Sequence, residues 1–223
     1  MQNLAHQDLI KDSYNIPMIK MKYLVLALMF FTAYLQADLI DNEIIFKAEK
    51  KYGNFAKNRF VSVQKELLES LKDKNDITKL NFVNTWVNYI KYESDKNLYG
   101  VGDYWATLYE FIGKDAGDCE DYTITKYYIL KALGINPKRM KFVYVIYKSR
   151  SGKKTAHMVL AYLKVLKPKT KDDILILDNN NRLVLPASKR PDLIKIIKMI
   201  NGDTGPKSKK WKQLELDMKR KKL

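Results

Sequence analysis

The chain contains a single cysteine, Cys119, so an intramolecular disulfide is excluded and cysteine spacing says nothing about the redox compartment. Histidine is nearly as scarce, with only His6 and His157. Acidic residues are in deficit: 25 Asp and Glu stand against 41 Lys and Arg, a formal charge of +16. A surface of this sign suits nucleic acid, anionic lipid or an acidic protein partner. The sequence has none of the usual nucleic-acid recognition motifs, so no nucleic-acid partner is expected. It also lacks an apolar run long enough for a confident membrane span, internal repeats, and low-complexity segments outside a basic C-terminus. At 223 residues it suffices for one domain with a proper core.

The longest apolar stretch, Tyr23 to Leu35, follows Lys20 and Lys22 and leads to Ala37. A positive start, about a dozen apolar residues and a small residue at the end describe a secretory signal cleaved after Ala37. Residues 1–37 therefore read as an N-terminal extension and signal peptide, with translation starting at Met18 or Met21 and the mature chain beginning near Asp38. An uncleaved anchor and a buried helix are the other readings of this stretch.

Asp41 to Leu71 has helical apolar spacing: Ile44, Ile45, Ala48, Tyr52 and Phe55, then Phe60, Val63, Leu67, Leu68 and Leu71 beyond Gly53-Asn54. Asp76 caps a further helix with Leu80, Val83, Val87 and Ile90 inward and Trp86 and Tyr89 at its flanks. Asn97 to Gly117 reads as a long ordered loop with at most one short helical turn. A helix then opens at Asp118 or Cys119 and runs to Leu133, with Gly134 at its end. Lys141–Lys148, Ala156–Leu166 and Asp173–Asp178 are strand-like, and Arg182–Leu185 adds a short strand. From Pro191 onward Leu193, Ile194, Ile197 and Ile200 suggest a last helix, and the lysine-rich 207–223 segment reads as a solvated, partly disordered tail. Helices followed by an antiparallel sheet make an α+β domain.

Downstream of Ala37 one thiol and one imidazole remain, and thiol chemistry at neutral pH needs a base. Cys119 at a helix N-terminus faces unpaired N–H groups that favour a thiolate and can hold an oxyanion. A small buried cysteine is the alternative, but Asp118, Glu120 and Asp121 are poor core neighbours. His157 opens one strand and Asp178 closes the next. Their midpoint falls between Lys167 and Pro168, where the turn is expected, so the hairpin brings them together within a register slip. A carboxylate there fixes the imidazole tautomer. The carboxylates around Cys119 would oppose thiolate formation unless a cation neutralises them. Oxygen ligands select a hard ion such as calcium, although acidic residues also suit a first helical turn without any ion.

Asp103-Tyr104-Trp105-Ala106-Thr107, Glu110-Phe111, Ala116-Gly117-Asp118-Cys119-Glu120-Asp121-Tyr122, Lys126-Tyr127, His157-Met158-Val159-Leu160 and Leu177-Asp178-Asn179 appear in that order. Together they resemble the bacterial transglutaminase-like cysteine proteinases of the LapG type, with Gly-Asp-Cys-Glu-Asp the specific block. The resemblance implies a papain-like, transglutaminase-like fold over residues 38–206 and a periplasmic thiol endopeptidase with Cys119, His157 and Asp178 as catalytic residues. It also implies calcium near the nucleophile, held by Asp118, Glu120 and Asp121, with Asp103 from the preceding loop. Trp105 is expected to line the substrate cleft. The implied substrate is a large surface adhesin cut near its N-terminus during biofilm release. The implied inhibitor is an inner-membrane cyclic di-GMP receptor of the LapD type, and the protein is expected to be a monomer or weak dimer. Two alternatives remain open: a transglutaminase-like acyltransferase on the same fold, and a non-catalytic periplasmic binding module.

Overall fold

A computed structural model describes residues 39–223, which form one compact unit. The signal peptide, its cleavage point and the start codon lie outside the described residues. Helix α1 (Asn42–Tyr52) is capped by Asp41, whose side chain accepts from the Ile44 N–H at 2.8 Å. Gly53, with φ at 85°, ends it in the left-handed region open to glycine. Helix α2 (Asn54–Ser62) then starts afresh and continues into a π-helical turn, Val63–Glu69. The restart explains one difference from the expected apolar face: Ile44, Ile45, Ala48, Phe60, Val63 and Leu67 are buried, but Phe55 is 82% exposed.

Helix α3 (Asp76–Val87) is capped by Asn75 rather than Asp76, because it is the Asn75 side chain that accepts from the Thr78 N–H, at 2.9 Å. Leu80, Val83 and Val87 point inward as expected. The expected loop that follows is more structured than its glycines suggest. The short strand β1 (Lys91–Tyr92) precedes it and helix α4 (Asp95–Tyr99) runs into its start, and it contains the fully packed helix α5 (Leu108–Lys114) and strand β2 (Ala116–Gly117). Thr107 and Glu110 close a capping box at the start of α5: the Glu110 N–H donates to Thr107 Oγ1 and the Thr107 N–H to Glu110 Oε2, each at 3.0 Å. Helix α6 (Cys119–Ala132) carries the thiol at its first position.

The sheet comprises β3 (Met140–Lys148), β4 (Lys154–Leu163), β5 (Ile174–Asp178), β6 (Asn181–Pro186) and β7 (Leu193–Asn201), in spatial order β6-β5-β4-β3-β7. All neighbouring pairs are antiparallel. Helix α6 packs on β4, and Phe142, Met158, Leu160, Tyr162 and Leu177 join the helical core. The α+β architecture is thus the expected one, with the helix that begins at Cys119 laid against an antiparallel sheet.

Two expectations are corrected at the C-terminal end. The segment from Pro191 is a strand, not a helix: β7 pairs with the open edge of β3 through two register shifts. Its four isoleucines between 194 and 200 are β-branched, which favours the pleated alternative once that edge is available. On the new outer edge, Lys195 and Lys198 stand among the exposed Ile194, Ile196, Ile197 and Met199, and such charges discourage further strand pairing. The 207–223 segment is not a disordered tail. Residues Lys209–Lys219 form helix α7, capped by Ser208, and bury Trp211, Leu214 and Met218. Trp211 stacks on Tyr128 at 6.3 Å and meets Phe142 edge-on at 5.1 Å. Much of the basic charge here is locally paired: Lys210 with Asp103, Lys221 with Asp41, and Lys222 with Glu110 and Asp217.

Burial of Trp211 in this aromatic cluster predicts that Trp211→Ala lowers unfolding free energy by about 3–5 kcal/mol. Urea denaturation followed by circular dichroism measures it. An unchanged midpoint would show that α7 contributes nothing to the core.

Candidate active site

The site forms where the N-terminus of α6 meets the start of β4. Gly117 is required by close approach: a Cβ there would lie 2.5 Å from the Phe111 ring and 2.7 Å from Asp121 Oδ2. Asp121 is fully buried and ties two segments to the helix, accepting from the Ala106 N–H at 2.8 Å and from the Asp118 N–H at 3.3 Å. Cys119 is half-buried. Its thiol donates to Glu120 Oε2 at 3.1 Å, and while burial and Glu120 raise the thiol pKa, the Met158 backbone acts to lower it. Met158 directly follows His157, so the thiol is held beside the histidine's own strand. The Thr123 hydroxyl lies 2.8 Å from Cys119 O and 3.2 Å from Met158 O, fastening α6 to β4 at the same place.

His157 is buried, and its Nε2 is 2.8 Å from Asp178 Oδ1. The hairpin register differs by two residues from the symmetric one: Leu160 pairs with Leu177, which places Asn180 rather than Asp178 across from His157. An even shift keeps Asp178 on the same face, and the contact survives. Asn179-Asn180 makes the turn into β6, and the Asn180 N–H donates to Asp178 Oδ1 at 2.8 Å. Helix α3 holds the Asp178 backbone, with Asn84 Oδ1 accepting from its N–H at 3.1 Å and Asn88 Nδ2 donating to its carbonyl at 2.8 Å. Arg190 donates to Asp178 Oδ2 at 2.5 Å. Burial would raise the Asp178 carboxyl, but the His157 hydrogen bond and the nearby cations overcome it and hold the group well below its ordinary 3.8.

Five carboxylates gather beside the thiol. Oxygens of Asp95, Asp118 and Asp121 lie within 4.8 Å of one another, as do those of Asp95, Asp103 and Glu120. Asp95 Oδ1 and Asp118 Oδ1 are buried and accept no hydrogen bond among the described residues. Burial first, then the charge of Glu120, pushes Asp118 up to about 9. Burial also raises Asp121 and Asp95, and the charge of Glu120 adds to it in both. Burial and Glu120 together push the Cys119 thiol far above its ordinary 9.0. Orphaned buried oxygens and unrelieved mutual repulsion fit a hard cation with oxygen ligands.

Trp105 is half-buried and packs edge-on against Trp211, with ring centroids 6.4 Å apart. Asp103 is exposed and ion-paired to Lys210. Four residues of the site were not singled out in the sequence: Asp95, Arg190, Tyr92 and Tyr144. Burial first, then the charges of Cys119 and Asp118, pushes Tyr92 up to about 12; Tyr144 is raised by burial and by Glu120, Asp103 and Cys119. Both tyrosines thus stand close enough to the thiol to feel its charge.

A family model for bacterial transglutaminase-like cysteine proteinases matches residues 51–217. Among solved structures, Legionella pneumophila LapG is 34% identical, with a TM-score of 0.64, and the match covers 83% of this chain and all of that one. A calcium-bound LapG from the same organism is 32% identical over 79% of this chain and 98% of that one, with a TM-score of 0.60. An EGTA-treated form is 32% identical over 83% of this chain and all of that one, with a TM-score of 0.62. Comparison with curated proteins finds no match.

Lys126, on the buried side of α6, has an ammonium that makes no hydrogen bond among the described residues. Burial lowers it to about 7, with the charge of Asp178 opposing. Between about 7 and its ordinary 10.5 the unfolded chain binds a proton that the folded chain does not, so this group makes stability rise with pH across that window. Lys126→Met should therefore be more stable than the wild type near pH 7, with the advantage shrinking towards pH ~9.5. Paired urea titrations at the two pH values measure this. A difference independent of pH would show that the ammonium stays charged in the fold.

Proposed function

Because the chain belongs to the bacterial transglutaminase-like cysteine proteinases, we propose that it is a calcium-dependent periplasmic endopeptidase with Cys119 as nucleophile, His157 as acid–base and Asp178 as the residue that orients His157. The observation carrying this reading is the buried His157–Asp178 hydrogen bond next to Met158, whose carbonyl shares the Thr123 hydroxyl with that of Cys119. With Nε2 engaged by Asp178, Nδ1 is the nitrogen left for the thiol. It takes the thiol proton as sulfur attacks the peptide carbonyl. N–H groups at the start of α6 stabilise the oxyanion. The imidazolium then protonates the leaving amine, and a thioester forms. Water adds to the thioester, giving one proton to His157, and the thiol is restored as the new carboxylate leaves.

Asp95, Asp103, Asp118, Glu120 and Asp121 would hold the calcium. Its charge, when bound, offsets theirs and frees the thiol from the hydrogen bond and field of Glu120. The acidic cluster and the calcium-bound relative support this part. The family resemblance alone supports the remaining details: a large surface adhesin as substrate, restraint by an inner-membrane cyclic di-GMP receptor, and export through the N-terminal signal. Tyr92, Tyr144 and Trp105 are the aromatic groups proposed for the cleft.

With an N-terminal adhesin fragment as substrate, Cys119→Ala and His157→Ala should each lower cleavage by about 10⁴-fold or more, and the double variant no further. Gel analysis of the fragment decides it, and retained scission in Cys119→Ala would rule the mechanism out. Calcium should restore activity lost to EGTA and stabilise the fold by ~2.7 kcal/mol at a hundredfold excess over its Kd. Asp118, raised from 3.8 to about 9, favours the metal-free fold when protonated, so metal-free stability falls as pH rises through that window. The calcium-induced gain in melting temperature should therefore grow with pH. A gain that is flat across the window would remove these carboxylates as the ligands.

A further inference from the structure

Asp178 is 1% exposed, and its two oxygens have divided tasks. Oδ1 accepts from His157 and from the Asn180 N–H, both at 2.8 Å. Oδ2 faces away from the histidine and accepts from Arg190 Nη2 at 2.5 Å. Arg190 is itself 4% exposed and is aimed by a second carboxylate. Asp192 accepts from its Nε at 2.9 Å and from its Nη2 at 2.7 Å. Arg190 thus lies in a fixed fork between a solvent-accessible aspartate and a buried one. The hydrogen bonds to the Asp178 backbone from Asn84 and Asn88 fix the chain but leave the carboxylate free to turn about its side-chain bonds. Among the described residues, Arg190 is the partner found for Oδ2. Without it, a buried carboxylate oxygen would be left unsatisfied, a cost relieved by rotating away from His157 or by taking a proton.

We propose that Arg190 is a positioning residue of the proteolytic site, locking the Asp178 carboxylate in the one orientation that presents Oδ1 to His157. The proposal rests on the thiol-protease reading above. A lysine would keep the charge but lose the fork that engages two carboxylates at once.

The test uses the full-length calcium-loaded protein and needs no protein substrate. Iodoacetamide alkylation of Cys119 reports thiolate formation by the histidine, and the proton resonance of the His157 ring N–H reports the hydrogen bond to Asp178. Arg190→Gln should slow alkylation by about 10- to 100-fold, as when a group that orients a functional ligand is removed, and should broaden or shift the resonance. Arg190→Lys should recover part of the rate. Loss of a buried partner threatens folding, so Asp192→Asn, which leaves Arg190 in place but loosens its aim, provides a milder change in the same direction. A folded Arg190→Gln, or Asp192→Asn if that protein does not fold, with wild-type alkylation and an unchanged resonance overturns the proposal. His157→Ala separates the two claims. If it slows alkylation while Arg190→Gln does not, Arg190 alone is dismissed; if it leaves alkylation unchanged, the protease reading and the proposal fall together.

Discussion

The site depends on one contact between two elements distant in sequence: the first turn of α6 against the opening of β4. Thr123 bridges carbonyls from both, that of Cys119 and that of Met158. Neither element holds a reactive group in place alone. A helix N-terminus offers N–H groups but no base, and a strand offers an imidazole but no nucleophile. The core beneath them, from Leu160 and Tyr162 on the sheet to Ile124 and Tyr127 on the helix, makes the meeting rigid. Asp178 reaches the same point from a third segment. Asn84 of α3 and Asn88 at its C-terminal cap receive it, so a helix nearly a hundred residues upstream also serves the last catalytic candidate.

The electrostatics around the two halves are opposite. On the histidine side, the single buried carboxylate is matched by a buried cation: Arg190 is bonded to Asp178 Oδ2. On the thiol side, five carboxylates crowd one sulfur, and among the described residues the cation paired with them is the peripheral Lys210 on Asp103. An unliganded thiol in that field stays protonated. The same side chains that make the sulfur inert alone are those with oxygens left over for an ion. The groups flanking Cys119, not a distant switch, are thus where an added cation would act.

Much of this was legible in the sequence because it follows short-range rules. The helix beginning at Cys119, the strands before and after His157, and the His157–Asp178 pairing came from turn signals and from counting outward to a midpoint. The two-residue offset of the real register did no harm because it preserved the face. Asp95 and Arg190 escaped notice since each acts through tertiary contacts with no local spacing to announce them. Two errors had different causes. The Ile-rich 193–200 segment fits helical and strand spacing alike, and only the open edge of β3 decides between them. The C-terminal segment was judged by its lysines, although Trp211, Leu214 and Met218 recur at helical intervals. In the glycine-containing loop, Thr107-Leu108-Tyr109-Glu110 carries the capping-box pattern that marks a helix start.

The anchoring of residues 209–223 ties the assembly of the acidic loop to a segment far along the chain. Lys210 grips the Asp103 carbonyl at 2.8 Å, Lys222 meets the Tyr104 hydroxyl at 2.8 Å, and the Lys222 carbonyl accepts from Thr107 at 2.6 Å. These contacts span more than a hundred residues, so the loop beside the thiol is completed only by pairings of very high sequence separation. A chain in which this segment has not yet docked lacks that brace, so the acidic loop is among the last parts of the fold to set.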